Sequence, residues 1–196
     1  FLVERIVPRF YEELCKTDGM ERDDKRRCDS AEANFIFANR NKEKSEKQKK
    51  QLIEKFPDIK IQILNVNYED MNSVKLLVCK LKQIHIDILI LNAAVYNVQR
   101  KTTTSGFDNV FQVNFISQYY IAKQLLTNLR KIKNSKIVVI GSIAHNYSKV
   151  NFNDIQKLKT KKSSIAYGNS KRFLMASRGW IKYKPLLLYI TDRETY

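Results

Sequence analysis

From Asn34 onward the chain alternates short apolar runs with longer amphipathic stretches, and few folds other than a parallel α/β sheet accept that alternation. Residues 35–38, 59–66, 86–91 and 136–140 are short and rich in β-branched or aliphatic side chains, and each predicts a buried strand. Between them, residues 41–55, 71–82, about 104–129 and 164 to about 182 carry apolar residues at three- and four-residue intervals, which predicts helices. A last apolar run, 186–190, predicts one more strand. The first thirty-odd residues break the pattern. The run Arg22-Asp23-Asp24-Lys25-Arg26-Arg27 offers little to bury, and a strand at 4–7 is at once followed by Pro8. The 196 residues therefore read as one α/β domain built on a mostly parallel sheet.

An apolar share of 43% is ample for a core. The net charge of +16 raises the question of a polyanionic partner, because lysine and arginine neutralise phosphates. The basic residues are scattered in short clusters, such as 47–50 and 157–162, without interleaved aromatics, so solvated surface outweighs a nucleic-acid site and no nucleic acid is expected. Cys15, Cys28 and Cys79 form no CxxC pair and are odd in number, which suggests neither a zinc site nor a disulfide framework. No apolar run approaches the roughly 18 residues of a membrane helix, and the opening residues lack a signal-peptide core. A cytoplasmic protein is the expectation, and a first residue other than methionine marks a fragment or a processed product.

The chemistry concentrates in Tyr167-Gly168-Asn169-Ser170-Lys171, which sets a phenol and an ammonium four apart on one helical face. A tyrosine with a reference pKa of about 10 is a poor proton shuttle at neutral pH, and a fixed positive charge beside it favours the phenolate. Upstream, the apolar run 137–140 delivers Gly141-Ser142 at a strand's carboxyl end, where open α/β sheets place their ligands. The run 88–91 similarly ends in Asn92-Ala93-Ala94, small enough for close backbone approach. Asn114, between Val113 and Phe115, is an amide inside an apolar helix and must find buried partners. His145 and His85 have no third ligand in view, so no metal site is predicted.

In this order and on these elements, the features resemble the classical short-chain dehydrogenase/reductase family. Leu91-Asn92-Ala93-Ala94 is similar to its Asn-Asn-Ala-Gly, Asn114 to its helix asparagine, Ser142 to its serine, and Tyr167 with Lys171 to its Tyr-x-x-x-Lys. Thr104-Ser105-Gly106-Phe107-Asp108 resembles the lead into the asparagine helix, and Phe37-Ala38-Asn39-Arg40-Asn41 the end of the second strand. Ser142-Ile143-Ala144-His145 and the long stretch before Tyr167 look most like the retinol-dehydrogenase-like and keto-steroid-reductase-like branches.

The resemblance implies a Rossmann-like, doubly wound α/β domain, incomplete at both ends, that is family-like over 34–175 and divergent over 1–33 and 176–196. It also implies hydride transfer between a nicotinamide cofactor and a small carbonyl or alcohol substrate, with Tyr167 as general acid or base. It implies that Lys171 lowers the tyrosine's pKa and holds the nicotinamide ribose, that Ser142 orients the carbonyl, and that Asn114 holds a relay water. Asn92, Ala93 and Asn67 are the implied cofactor contacts, and Arg40, placed for a 2′-phosphate, favours NADP(H) over NAD(H). Homo-oligomers are admitted by the same likeness.

The sequence departs from the family at the phosphate loop, where Thr-Gly-x-x-x-Gly-x-Gly would let the backbone approach a pyrophosphate. The nearest vestige, Thr17-Asp18-Gly19-Met20-Glu21-Arg22, keeps only Gly19 and sets Asp18 and Glu21 against the anion. A catalytically inactive remnant, kept for interaction, is therefore the alternative reading.

Overall fold

The computed structural model describes residues 34–156, 158–160, 162–179 and 188–192, and the strand expected at 4–7, the Gly19 turn, Cys15 and Cys28 lie outside them. The described residues fall in two compact units that divide between Asn65 and Val66.

In the first unit, β1 (Asn34–Asn39) leads through α1 (Lys42–Lys55) to β2 (Lys60–Asn65). The helical crossover makes the strands parallel, with Asn34 opposite Lys60 and Asn39 opposite Asn65. Asn41 stops the strand and starts the helix, its side chain accepting from the Lys44 amide. Phe37, Leu52, Ile59 and Ile61 form the core, joined by Phe35, Phe56 and Ile63.

The second unit holds a three-stranded parallel sheet in the order β3 (Ile88–Leu91), β4 (Lys136–Ser142), β5 (Leu188–Asp192). Ile88 faces Lys136 and Val138 faces Leu188. Residues Ile137 to Ile140 of the central strand are almost wholly buried, as their unbroken aliphatic run requires of a strand covered on both faces. Helix α2 (Met71–Leu81), capped by Asp70, buries Val74, Leu77 and Val78.

The helix expected from about 104 to 129 is shorter and interrupted. Thr102 bridges Asp108 in antiparallel fashion, the Thr103 amide donates to Phe107 O, and Gly106 takes φ +79°, so residues 102–108 form a tight turn that cannot be helical. Asp108 then caps α3 (Asn109–Phe111), accepting from the Phe111 amide. A π-turn, Gln112–Ile116, follows before the regular α4 (Ser117–Arg130). Beyond β4 come two 3-10 turns, Ile143–Tyr147 and Phe152–Asp154, and then α5 (Ser163–Ala176), which ends in a third, Ser177–Gly179. Strand β4 runs two residues further than expected, so Gly141 and Ser142 belong to the strand itself. Among the described residues no helix is long and apolar enough to cross a membrane.

Candidate active site

Helix α5 buries polar residues where an ordinary surface helix would bury leucines: Tyr167, Asn169, Ser170 and Lys171 all face inward. Lys171 is 2% exposed, and its Nζ donates to Ile140 O at 3.0 Å, two residues before Ser142 on β4. A buried ammonium is costly unless it is held by such partners, so the lysine is committed to this position. Its Nζ also lies 5.8 Å from the centroid of the Tyr167 ring. Tyr167 packs against Val110, Ala144 and Ala166 and meets Tyr96 edge-on, ring centroids 4.9 Å apart.

The helix reaches the strand end because residue 168 is glycine. A Cβ there would sit 2.6 Å from Ala144 O and 3.2 Å from Ser148 Cβ, so only glycine lets this turn of α5 pack on the loop that follows Ser142. Ser142 is buried, and its Oγ accepts from the Ala144 amide at 3.3 Å, a role that does not consume its hydrogen. His145 holds the same loop, its Nδ1–H donating to Ser142 O at 2.5 Å. Among the described residues no three His, Cys, Asp or Glu side chains gather as a metal site.

Asn114 sits in the π-turn, a distortion that recurs at functional sites because it redirects one side chain without ending the helix. Its Oδ1 accepts from the Val95 amide at 2.7 Å, while its Nδ2 donates to Val95 O and to Ser170 Oγ, both at 3.0 Å. The side chain is thus a clamp between the loop after β3 and helix α5. Two neighbours that sequence reasoning passed over complete the arrangement. Gln118 Nε2 donates to Ala93 O at 2.6 Å and to Asn114 O at 2.8 Å, and Ser170 Oγ donates to Tyr167 O at 2.7 Å. Two amides four apart in an apolar helix, and a glycine beside the tyrosine, were the available signals.

Tyr68 is no rival base, since burial pushes its phenol up to about 12 and keeps it protonated. The other predicted cofactor contacts are dispersed. Asn92 and Ala93 follow β3 directly and are partly exposed. Asn67 turns its Oδ1 onto the Glu69 amide at 3.1 Å, which leaves its Nδ2 as the group that could meet an adenine. In the first unit, Arg40 lies exposed just past β1.

The family model of short chain dehydrogenase matches residues 17–154 of this chain. The chain belongs to the short-chain dehydrogenase family. The matched span holds Asn92, Asn114 and Ser142, while Tyr167 and Lys171 lie beyond it and rest on the geometry above. Mouse retinol dehydrogenase 12 is 38% identical over 90 residues, covering 46% of this chain and 28% of the relative. Two solved structures, each 17% identical, share the fold. The Comamonas testosteroni bulky-bulky ketone specific alcohol dehydrogenase covers 87% of this chain and 68% of its own, with a TM-score of 0.66. The Sphingobium yanoikuyae short-chain dehydrogenase in complex with NADPH covers 74% and 54%, with a TM-score of 0.58. The expected Rossmann-like α/β class stands on these likenesses and on the parallel strands. The chain spans between about a quarter and a half of the length of the curated relatives it matches.

For a short-chain dehydrogenase the nicotinamide end of a dinucleotide fits these residues. The carboxyl ends of β3 and β4 offer the partly exposed Asn92 and Ala93 beside a buried ammonium and phenol, donors suited to ribose and carbonyl oxygens.

Proposed function

We propose that this chain is the core of an oxidoreductase that passes a hydride between NADP(H) and a small carbonyl or alcohol. The observation that carries the reading is the bond from buried Lys171 Nζ to Ile140 O. It ties the helical face bearing Tyr167 to the strand that ends in Ser142. NADP(H), when bound, supplies or accepts the hydride. The residues do the rest. Tyr167 donates a proton to the substrate oxygen in reduction and removes it in oxidation, helped by the ammonium beside its ring. Ser142 orients that oxygen through its hydroxyl hydrogen. Lys171 binds the ribose. Asn114 holds the loop carrying Asn92 and Ala93 against α5, and Arg40 favours the 2′-phosphate. The NADPH-bound Sphingobium structure supports the cofactor class.

A second reading, an inactive remnant, is favoured by the sequence at 17–22, where one glycine stands between two acids. Fluorescence titration with NADPH, followed by turnover on a panel of apolar ketones and aldehydes, separates the two. The enzyme reading expects micromolar binding, and a Tyr167→Phe variant that keeps binding but loses turnover by about a thousandfold. No binding at millimolar NADPH overturns it, and binding without turnover on any substrate favours the remnant.

A further inference from the structure

The loop that joins Ser142 to Tyr167 is built inside out. Of the eight large hydrophobic side chains exposed among the described residues, five lie within it or in the first turn of α5: Tyr147, Phe152, Ile155, Leu158 and Ile165. Phe152 is 83% exposed and Tyr147 76%. This is not a stretch lying loosely on the surface. Its polar and backbone atoms are the ones turned inward. Asn169 Nδ2 donates to Ile155 O at 2.6 Å, Gln156 Oε1 accepts from the Asp108 amide at 2.8 Å, and Arg100 donates to the carbonyls of Gln156 and Thr160. Arg100 is itself paired with buried Asp108 at 2.9 Å. The fold therefore holds the segment firmly while displaying its apolar side chains, the opposite of what burial alone favours.

Charge decides the occupant. Residues 147–162 contain five lysines and a single acid, Asp154. Asp154 is turned back into its own turn, accepting from the amides of Leu158 at 2.8 Å and Lys159 at 3.3 Å. Lys149, Lys159 and Lys162 are exposed beside the apolar side chains. Aromatic and aliphatic tips ringed by lysines match an anionic lipid surface, whose headgroups take the ammoniums and whose acyl boundary takes the rings. We propose that this segment docks the protein on the face of an anionic lipid bilayer. Because the segment joins Ser142 to Tyr167, docking would set the candidate site beside the bilayer and suit it to lipophilic substrates. That last step rests on the redox reading; the docking does not.

Co-sedimentation of the whole chain with vesicles of phosphatidylcholine, alone or with phosphatidylserine, tests the idea. Binding is expected on the anionic vesicles and is expected to fall steeply with salt. Replacing Lys149, Lys159 and Lys162 by glutamine should weaken it about a hundredfold, at about fivefold for each lysine. Tyr147→Ser with Phe152→Ser should weaken it about tenfold or more. Leu76→Ser, an exposed leucine on α2, should leave it unchanged. Circular dichroism and the melting temperature, unchanged in every variant, show that folding is not the cause. Equal binding to neutral and anionic vesicles overturns the proposal. So does binding that needs the lysines but ignores Tyr147 and Phe152 and is matched on heparin, which marks a polyanion site, or a dimer that Phe152→Ser dissolves without any vesicle binding. NADPH titration is read separately, so a failed redox reading leaves the vesicle result intact.

Discussion

Helices α1 and α5 are both 14 residues long, yet they are buried for opposite reasons. Helix α1 is charged along most of its length and buries only Ser45 and Leu52, enough to lay it across two parallel strands. Helix α5 buries seven residues, five of them polar or glycine: Tyr167, Gly168, Asn169, Ser170 and Lys171. A helix kept for packing needs one apolar stripe and leaves the remainder to solvent. One that buries a phenol, an amide, a hydroxyl and an ammonium together spends stability that packing never requires, and such expense is characteristic of sites.

The sharpest way to break this contrast is to remove the apolar anchor of α1. Leu52 is nearly fully buried among Phe37, Ile59 and Ile61. Leu52→Ala should cost about 3 kcal/mol through lost transfer energy and the cavity left behind. Lys47→Ala on the same helix should change stability by less than about 0.5 kcal/mol. Urea melts followed by circular dichroism check both. A loss at Lys47 comparable to that at Leu52 would mean that α1 is held by charge, and the contrast with α5 would fail.

Next in size is Gly168→Ala. In the interior of an ordinary helix this change stabilises by about 1 kcal/mol, because alanine has less conformational entropy to lose. Here the added methyl meets a backbone carbonyl at 2.6 Å, which cannot swing aside as a flexible side chain would. A net destabilisation of about 1–2 kcal/mol is expected, visible as a lower urea midpoint at unchanged slope. Stabilisation instead would show that α5 stands away from the Ser142 loop, and the geometry of the site would go with it.

Much of this was legible in the residues, and unevenly so. Periodicity gave the strands of both sheets, because an aliphatic run between polar stretches has little other use. It could not give their pairing, which depends on contacts far apart in sequence. It also read 104–129 as one helix. The apolar spacing continues through Gln112, Asn114 and Gln118, and nothing in a period of 3.6 announces that a turn will take an extra residue. Gly106 was the visible warning, since a glycine two residues before Asp108, here left-handed, favours a turn and a cap over a helix interior. At the site, Tyr167, Lys171, Ser142 and Asn114 stood out by residue type and order. Gln118 and Ser170 did not, because their roles lie in which carbonyls they reach, and that is decided by the packing of α4 and α5.

The finest test compares two serines that do the same thing on the two helices. Ser45 Oγ donates to Asn41 O, one turn back, and accepts from Asn39 Nδ2 at 3.1 Å. Ser170 Oγ donates to Tyr167 O, also one turn back, and accepts from Asn114 Nδ2 at 3.0 Å. Each is a serine that answers its own helix and one outside amide. They differ in what the amide brings. Asn39 is six residues from Ser45 and partly exposed, so water replaces the lost bond and Ser45→Ala should cost about 0.5 kcal/mol. Asn114 is 56 residues from Ser170 and wholly buried, so Ser170→Ala strands a donor that water cannot reach and should cost about 1–2 kcal/mol. Urea melts of the two alanine variants, run side by side, measure the difference directly. Equal losses would show that the Asn114 clamp adds nothing beyond a local hydrogen bond, and α5 would then differ from α1 in composition but not in purpose.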